Sequence, residues 1–215
     1  MPPDPRTGPT PVKVCGLTTP EDAGAVAALG VWGIGVVLAA GSPRRVDPEA
    51  AARVTAAVPR GVARIGVFAD AGPREIADAA RIAALTHVQL HGGADPAEVR
   101  AATGLPVIEA VRVDGPGALA RARASAADLV LLDAAVPGRL GGTGTAFDWG
   151  LLEREALGRD FILAGGLTAA NAAEAVARLR PAILDVSSGV ESAPGRKDPA
   201  RVAAFLAATS GARAA

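Results

Sequence analysis

Short apolar runs rich in Val, Ile and Leu alternate along this chain with longer alanine-rich stretches, and the alternation repeats eight times. The strand-sized runs are Val12–Cys15, Gly33–Leu38, Ala63–Ala69, His87–Leu90, Val107–Val113, Leu129–Asp133, Phe161–Ala164 and Ile183–Ser187. They are close to continuously apolar, as strands are when both faces are buried in a parallel sheet. The starts of the intervening helices carry a second signal. Thr19-Pro20, Asp47-Pro48, Gly72-Pro73, Asp95-Pro96, Gly115-Pro116 and Asp198-Pro199 each set a capping residue before a proline. Proline suits the first helical position because the N–H it lacks has no partner there anyway. Thr19-Pro20-Glu21-Asp22 and Asp95-Pro96-Ala97-Glu98 also resemble capping boxes. Two units lack the proline, and Asp148 and Thr168 are the expected caps there. Eight strand–helix units in 215 residues predict an α/β fold, a single-domain (β/α)8 TIM barrel. The alternative is a doubly wound open sheet. The absence of a Gly-rich dinucleotide fingerprint after the first strand weakens it.

Composition narrows the function. Twenty-two basic residues balance 22 acidic ones, so no net charge draws the chain to nucleic acid or a membrane surface. The apolar runs are too short or too interrupted to span a bilayer. A single cysteine excludes an internal disulfide and fits a reducing compartment, and a cytoplasmic location is expected. Residues 1–11 read as a disordered leader without the apolar core of an export signal, 12–209 as the barrel, and 210–215 as a frayed tail.

In such barrels chemistry gathers at the carboxyl ends of the strands. Here those ends carry Cys15, the turn Gly41-Ser42-Pro43-Arg44-Arg45, Asp70, Gln89 with His91, Arg112, Asp133, Gly165-Gly166 and Ser187-Ser188-Gly189. Cys15 reads either as a small buried hydrophobe or as a reactive thiol serving as general base or nucleophile. Asp133 closes the apolar run Leu129-Val130-Leu131-Leu132 and reads as a loop cap, a salt-bridge partner or a functional acid, since an enclosed carboxyl can donate a proton near neutrality. Gly165-Gly166 and Ser188-Gly189 follow strands seven and eight, where barrels frequently bind phosphate through backbone N–H groups. Arg44 and Arg45 are solvated charges unless they face the rim, where one can grip a carboxylate in bidentate fashion. Gln89 and His91 alternate along strand four and point the same way. With two histidines and one cysteine, no metal site is expected. The Gly-rich loop Pro137-Gly138-Arg139-Leu140-Gly141-Gly142-Thr143-Gly144-Thr145 is a candidate lid.

These segments resemble a known family. Lys13-Val14-Cys15-Gly16-Leu17-Thr18, Gly66-Val67-Phe68, Val88-Gln89-Leu90-His91-Gly92, Leu131-Leu132-Asp133, Gly141-Gly142-Thr143-Gly144, Phe147-Asp148-Trp149, Ala164-Gly165-Gly166-Leu167 and Asp185-Val186-Ser187-Ser188-Gly189-Val190-Glu191 resemble phosphoribosylanthranilate isomerase of tryptophan biosynthesis. The resemblance implies an Amadori rearrangement of N-(5-phosphoribosyl)anthranilate to 1-(2-carboxyphenylamino)-1-deoxyribulose 5-phosphate, with no cofactor and no metal. It implies Asp133 as general acid and Cys15 as general base. It further implies Arg44 as the ligand of the anthranilate carboxylate, Gly165, Gly166, Ser188 and Gly189 as the phosphate grip, and Gln89, His91 and Asp185 lining the sugar site. The implied partner is a small phosphosugar, with neither nucleic acid nor membrane, and the protein is a monomer or homodimer. One stretch departs from the pattern: Val36-Val37-Leu38-Ala39-Ala40-Gly41 lacks the aromatic residues usual before the Ser-Pro-Arg turn. Two other readings are a related aminoaldose isomerase of the histidine pathway, expected to pair two aspartates, and a barrel that binds a sugar phosphate without catalysis.

Overall fold

All eight expected strands form, and they close on themselves. In the computed structural model, which describes residues 8–115, 117–133 and 157–210, the strands are β1 (Val12–Cys15), β2 (Gly33–Val37), β3 (Ala63–Phe68), β4 (His87–Leu90), β5 (Val107–Arg112), β6 (Leu129–Asp133), β7 (Phe161–Ala164) and β8 (Ile183–Val186). They hydrogen-bond in chain order, all parallel, and β8 returns to β1. The open-sheet alternative is thereby excluded. Four strands end one residue earlier than the apolar runs suggest, at Val37, Phe68, Arg112 and Val186. The backbone is already leaving the ladder there, although Leu38 N still donates to Val67 O and Val113 N to Asp133 O.

The helices start where the caps are. They are α1 (Pro20–Ala28), α2 (Pro48–Ala56), α3 (Pro73–Ile82), α4 (Pro96–Thr103), α5 (Gly117–Ala124), α6 (Ala169–Leu179) and α7 (Pro199–Ser210). Asp47 accepts from Ala50 N at 2.6 Å, Asp95 from Ala97 N at 2.7 Å, and Asp198 from Ala200 N at 2.9 Å. Each satisfies an N–H that the first turn leaves without an intrahelical partner. Thr19 caps α1, accepting from Asp22 N at 3.2 Å. The Asp22 carboxylate does not complete a box; it accepts from Lys197 N, 2.9 Å away and 175 residues on. Before α6, Asn171 Oδ1 accepts from Thr168 N at 2.8 Å, while Asn171 Nδ2 donates to Gly166 O at 3.1 Å. That second bond ties the loop after β7 to its helix. The expected cap at Asp148, the candidate lid and the Phe147-Asp148-Trp149 segment lie outside the described residues.

Strand alternation sorts the core into two bodies. Val12, Val14, Ile34, Val36, Phe68, Val88, Leu90, Val107, Val111, Val130, Leu132, Leu163, Leu184 and Val186 pack outward against the helices. The intervening positions face the barrel interior, and Ala63, Ile65, Ile108, Leu131, Ile162 and Ile183 form a second cluster there. By the same alternation Lys13, Cys15, Gly35, Gln89, Arg112, Asp133 and Asp185 face inward. The register sets Lys13 beside Asp185, Cys15 beside Gly35, and Arg112 beside Asp133.

Beyond β8 the chain makes a 3₁₀ turn, Ser188–Val190, and then a two-stranded antiparallel hairpin, β9 (Glu191–Ala193) and β10 (Arg196–Lys197). Nothing in the apolar pattern announced this hairpin. It folds over the carboxyl end of the barrel through Glu191 and Lys197.

Candidate active site

Cys15 is the last residue of β1, half-buried, with its side chain turned to the barrel axis. The neighbouring strand makes room for it. A Cβ built on Gly35 would lie 2.9 Å from Cys15 Sγ and 3.3 Å from Lys13 Cε, so only glycine fits between β2 and these two side chains. Ser187 Oγ donates to Cys15 O at 3.0 Å and fixes the strand end from β8. Burial, the largest influence, pushes the Cys15 thiol above its ordinary value; the Lys13 charge pulls it back down, and Asp185 raises it further.

Below the thiol sits an ion pair that the sequence reading did not single out. Lys13 is completely buried, and its Nζ donates to Asp185 Oδ2 at 2.9 Å. Burial works against the Lys13 charge, yet the charges of Asp185 and Cys15 and the hydrogen bond to Asp185 hold the ammonium above its usual value. The other Asp185 carboxylate oxygen, Oδ1, is buried with no hydrogen-bond partner among the described residues. Alternation could have found Lys13: it is the one charge in Val12-Lys13-Val14-Cys15 and shares a face with the cysteine.

Across the barrel Gln89 is buried and pairs with His91, 2.7 Å between the Gln89 and His91 side-chain nitrogens. Gln89 Oε1 is buried without a hydrogen-bond partner among the described residues. Desolvation, with the Lys13 charge behind it, holds His91 below the ordinary histidine range, so the imidazole is neutral near pH 7. His91, Gly92, Ala110, Arg112 and Asp133 line a cavity of about 380 Å³ at the same rim. Asp133, at the end of β6, therefore opens onto the mouth as the sequence suggested. Asp70 adopts a left-handed backbone in the turn after β3 (φ 57°).

Arg44 and Arg45 separate clearly. Arg45 is exposed, and its backbone bridges to Val37. The Arg44 side chain turns inward over Gly16 and meets Glu191: Nε donates to Oε1 at 2.8 Å and Nη2 to Oε2 at 2.6 Å. Lys197 Nζ, buried, donates to the same Oε1 at 2.7 Å and to Ser187 O at 3.3 Å. Burial would raise the Glu191 carboxyl, but hydrogen bonds from Arg44 and Lys197, together with their charges, hold it down at about 2. Lys197 itself is lowered, burial outweighing Glu191. The sequence reading gave Glu191 and Lys197 no role. Both lie in the unforeseen hairpin, whose partners are distant in sequence.

The Gly165-Gly166 loop and the Ser188–Val190 turn meet. A Cβ on Gly189 would lie 2.0 Å from the carbonyl oxygen of Leu167. That obstacle is backbone and cannot swing aside. Gly189→Ala is therefore expected to push the two loops apart and destabilise the fold by about 1–3 kcal/mol, in the range of overpacking a close contact. Urea unfolding checks the stability, and titration with a phosphosugar checks a parallel loss of affinity. Unchanged values for both would show that the loops separate at no cost.

A closed parallel barrel with a thiol, a carboxyl, a bidentate arginine and two glycine-bearing loops on its carboxyl rim defines a barrel enzyme for a small anionic substrate. Comparison makes this specific. The family model described as N-(5'phosphoribosyl)anthranilate (PRA) isomerase matches residues 12–208, and the chain belongs to that family. An N-(5'-phosphoribosyl)anthranilate isomerase of Cereibacter sphaeroides is 46% identical over 203 residues, covering 91% of this chain and 96% of that one. The solved phosphoribosyl anthranilate isomerase of Thermotoga maritima superposes with a TM-score of 0.84 at 36% identity, over 94% of this chain and 99% of that one. A solved phosphoribosyl anthranilate isomerase in complex with reduced 1-(o-carboxyphenylamino)-1-deoxyribulose 5-phosphate is 35% identical with a TM-score of 0.80, over 94% of this chain and 99% of that one.

Proposed function

We propose that this chain converts N-(5-phosphoribosyl)anthranilate to 1-(2-carboxyphenylamino)-1-deoxyribulose 5-phosphate, the Amadori step of tryptophan biosynthesis, with Cys15 as base and Asp133 as acid. The observation carrying this reading is the inward alternation of Cys15 and Asp133 on the same carboxyl rim, in a chain of this family. Asp133 protonates the furanose ring oxygen, and the C1–O bond breaks to leave an iminium at C1. The Cys15 thiolate removes the C2 proton; the C2–H electrons form the C1=C2 double bond and the C1=N π pair moves onto nitrogen, giving an enolamine. Tautomerisation, with a proton delivered to C1, yields the ketone. The iminium nitrogen is the electron sink, so the reaction asks for no external carbonyl cofactor or metal.

The remaining residues position the substrate. Arg44 uses two of its N–H donors on Glu191; a guanidinium carries five, and the others are directed to the anthranilate carboxylate. The Gly165-Gly166 loop and Ser188-Gly189 offer backbone N–H groups to the phosphate. The buried oxygens of Gln89 and Asp185, which have no hydrogen-bond partner among the described residues, fit ribose hydroxyl donors, with His91 beside them. Among the described residues no helix is long and apolar enough to cross a membrane. The assembly is a monomer or a homodimer; one related structure is of monomers made from the dimeric Thermotoga maritima isomerase.

The test is a fluorescence assay. Phosphoribosylanthranilate, made in situ from anthranilate, should lose its fluorescence on adding the protein, while the aminoaldose of the histidine pathway should not turn over. Turnover of the second substrate alone would sink the assignment.

A further inference from the structure

The lower interior of this barrel is filled with Ile, Leu and Ala, yet one fully buried ammonium stands in it. A buried ion pair is a poor means of stabilising a fold, because apolar side chains of the same volume generally do as well or better. Lys13 therefore calls for another explanation. Its geometry supplies one. An ammonium has three N–H donors; Lys13 gives one to Asp185 Oδ2 at 2.9 Å, and its charge and that of the Cys15 sulfur act on each other. Both side chains leave β1 on the same face, two residues apart, and both press against the bare Cα of Gly35.

We propose that Lys13 is a positioning residue for Cys15: on the same inward face of β1 as the sulfur and held in place by Asp185, its buried ammonium favours the thiolate over the thiol. The proposal deepens, and rests on, the reading of Cys15 as the base. Other charges face the sulfur from every side. Asp185 on β8 disfavours the thiolate, Lys197 on β10 favours it, and the charge of Arg44, after β2, is coupled to it. His91 on β4 and Asp133 on β6 act on the Lys13–Asp185 pair behind it. Lys13 is the opposite charge that shares the sulfur's strand and face, and it acts on the thiol more strongly than Lys197 does. Without it, burial and Asp185 would push the thiol higher still and leave less thiolate to accept the C2 proton.

The chain contains one cysteine, so any thiol measurement on the whole protein reports on Cys15 alone. The experiment follows the rate of iodoacetamide alkylation against pH in the wild-type protein, Lys13→Met, Lys13→Arg and the double variant Lys13→Met/Asp185→Asn. The double variant removes both charges, so it leaves no buried ion without its partner should Lys13→Met fail to fold. The titration midpoint should rise by about one unit or more in Lys13→Met, slowing alkylation near pH 7 by about tenfold. It should rise by less in the double variant and return part of the way in Lys13→Arg. The acid limb of the kcat/KM profile should move up by the same amount, with KM little changed. Natively folded Lys13→Met or double variant with an unmoved midpoint overturns the proposal. A midpoint that moves while kcat/KM stays where it was keeps the Lys13–sulfur coupling and removes Cys15 from the role of base.

Discussion

Cys15→Ala and Asp133→Asn will each lower kcat by about 10²–10⁴, the range that a positioned base or acid contributes. KM should change little in either variant, because neither group grips the phosphate or the carboxylate, which are the anchors of affinity. The two losses differ in kind. With Asp133→Asn the ring no longer opens readily, so C–O cleavage limits the rate and a C2-deuterated substrate shows almost no isotope effect. With Cys15→Ala the C2 proton is the obstacle, and the same substrate shows a full primary effect. Both proteins should still unfold cooperatively in urea, which shows that the losses of kcat are read on folded protein. Wild-type turnover in either variant would remove that residue from the chemistry. Swapped isotope effects would exchange the two roles.

The second large effect is on stability and comes from Glu191. This carboxylate joins two cations, Arg44 and the buried Lys197, through contacts of 2.6–2.8 Å. Glu191→Gln leaves the Lys197 ammonium buried opposite a neutral amide, and breaking a buried pair in this way costs about 3–5 kcal/mol. The pH dependence carries a defined sign. The Glu191 carboxyl is held at about 2 in the folded protein against an ordinary 4.5. Its folded value is depressed, so its contribution is complete above about pH 5. It fades as the pH falls from 4.5 toward 2, amounting to roughly 3 kcal/mol over that interval. Urea unfolding of the wild type and Glu191→Gln at several pH values isolates this term from the other carboxylates. The gap between the two proteins should be wide at pH 6 and close to nothing near pH 2. A gap independent of pH would mean that Glu191 acts by packing and not by charge. KM should also rise in Glu191→Gln, since Arg44 would lose the carboxylate that orients it.

The link from Glu191 to Arg44 bears on the stretch that departs from the family pattern. Val36–Gly41 offers no aromatic face to an anthranilate ring. If Arg44 grips the anthranilate carboxylate as proposed, recognition at this corner falls to the charged end of the substrate, and the hairpin carboxylate of Glu191 orients the guanidinium for it. Ring-substituted anthranilates carried through the same fluorescence assay should be tolerated more readily than analogues that lack the carboxylate.

Much of this molecule is local, and what is local was legible. A run of apolar residues long enough for a strand, followed by a capping side chain and a proline, carries its instruction within about ten residues. For that reason β1, β4, β6 and β7 begin and end where the pattern put them, and Thr19, Asp47, Asp95 and Asp198 cap the helices they precede. Alternation also fixed which side of each strand Cys15, Gln89 and Asp133 occupy. The tertiary structure decided the rest. Lys13 meets Asp185 across 172 residues, and Asp22 meets the backbone of Lys197 across 175. Arg44 finds Glu191 across 147, in a hairpin that no periodicity announced. A hydrogen bond or a charge carries no mark in sequence of the partner it will meet. That choice is made only when the barrel closes and water is excluded, and then each buried ion must take the counter-charge within reach.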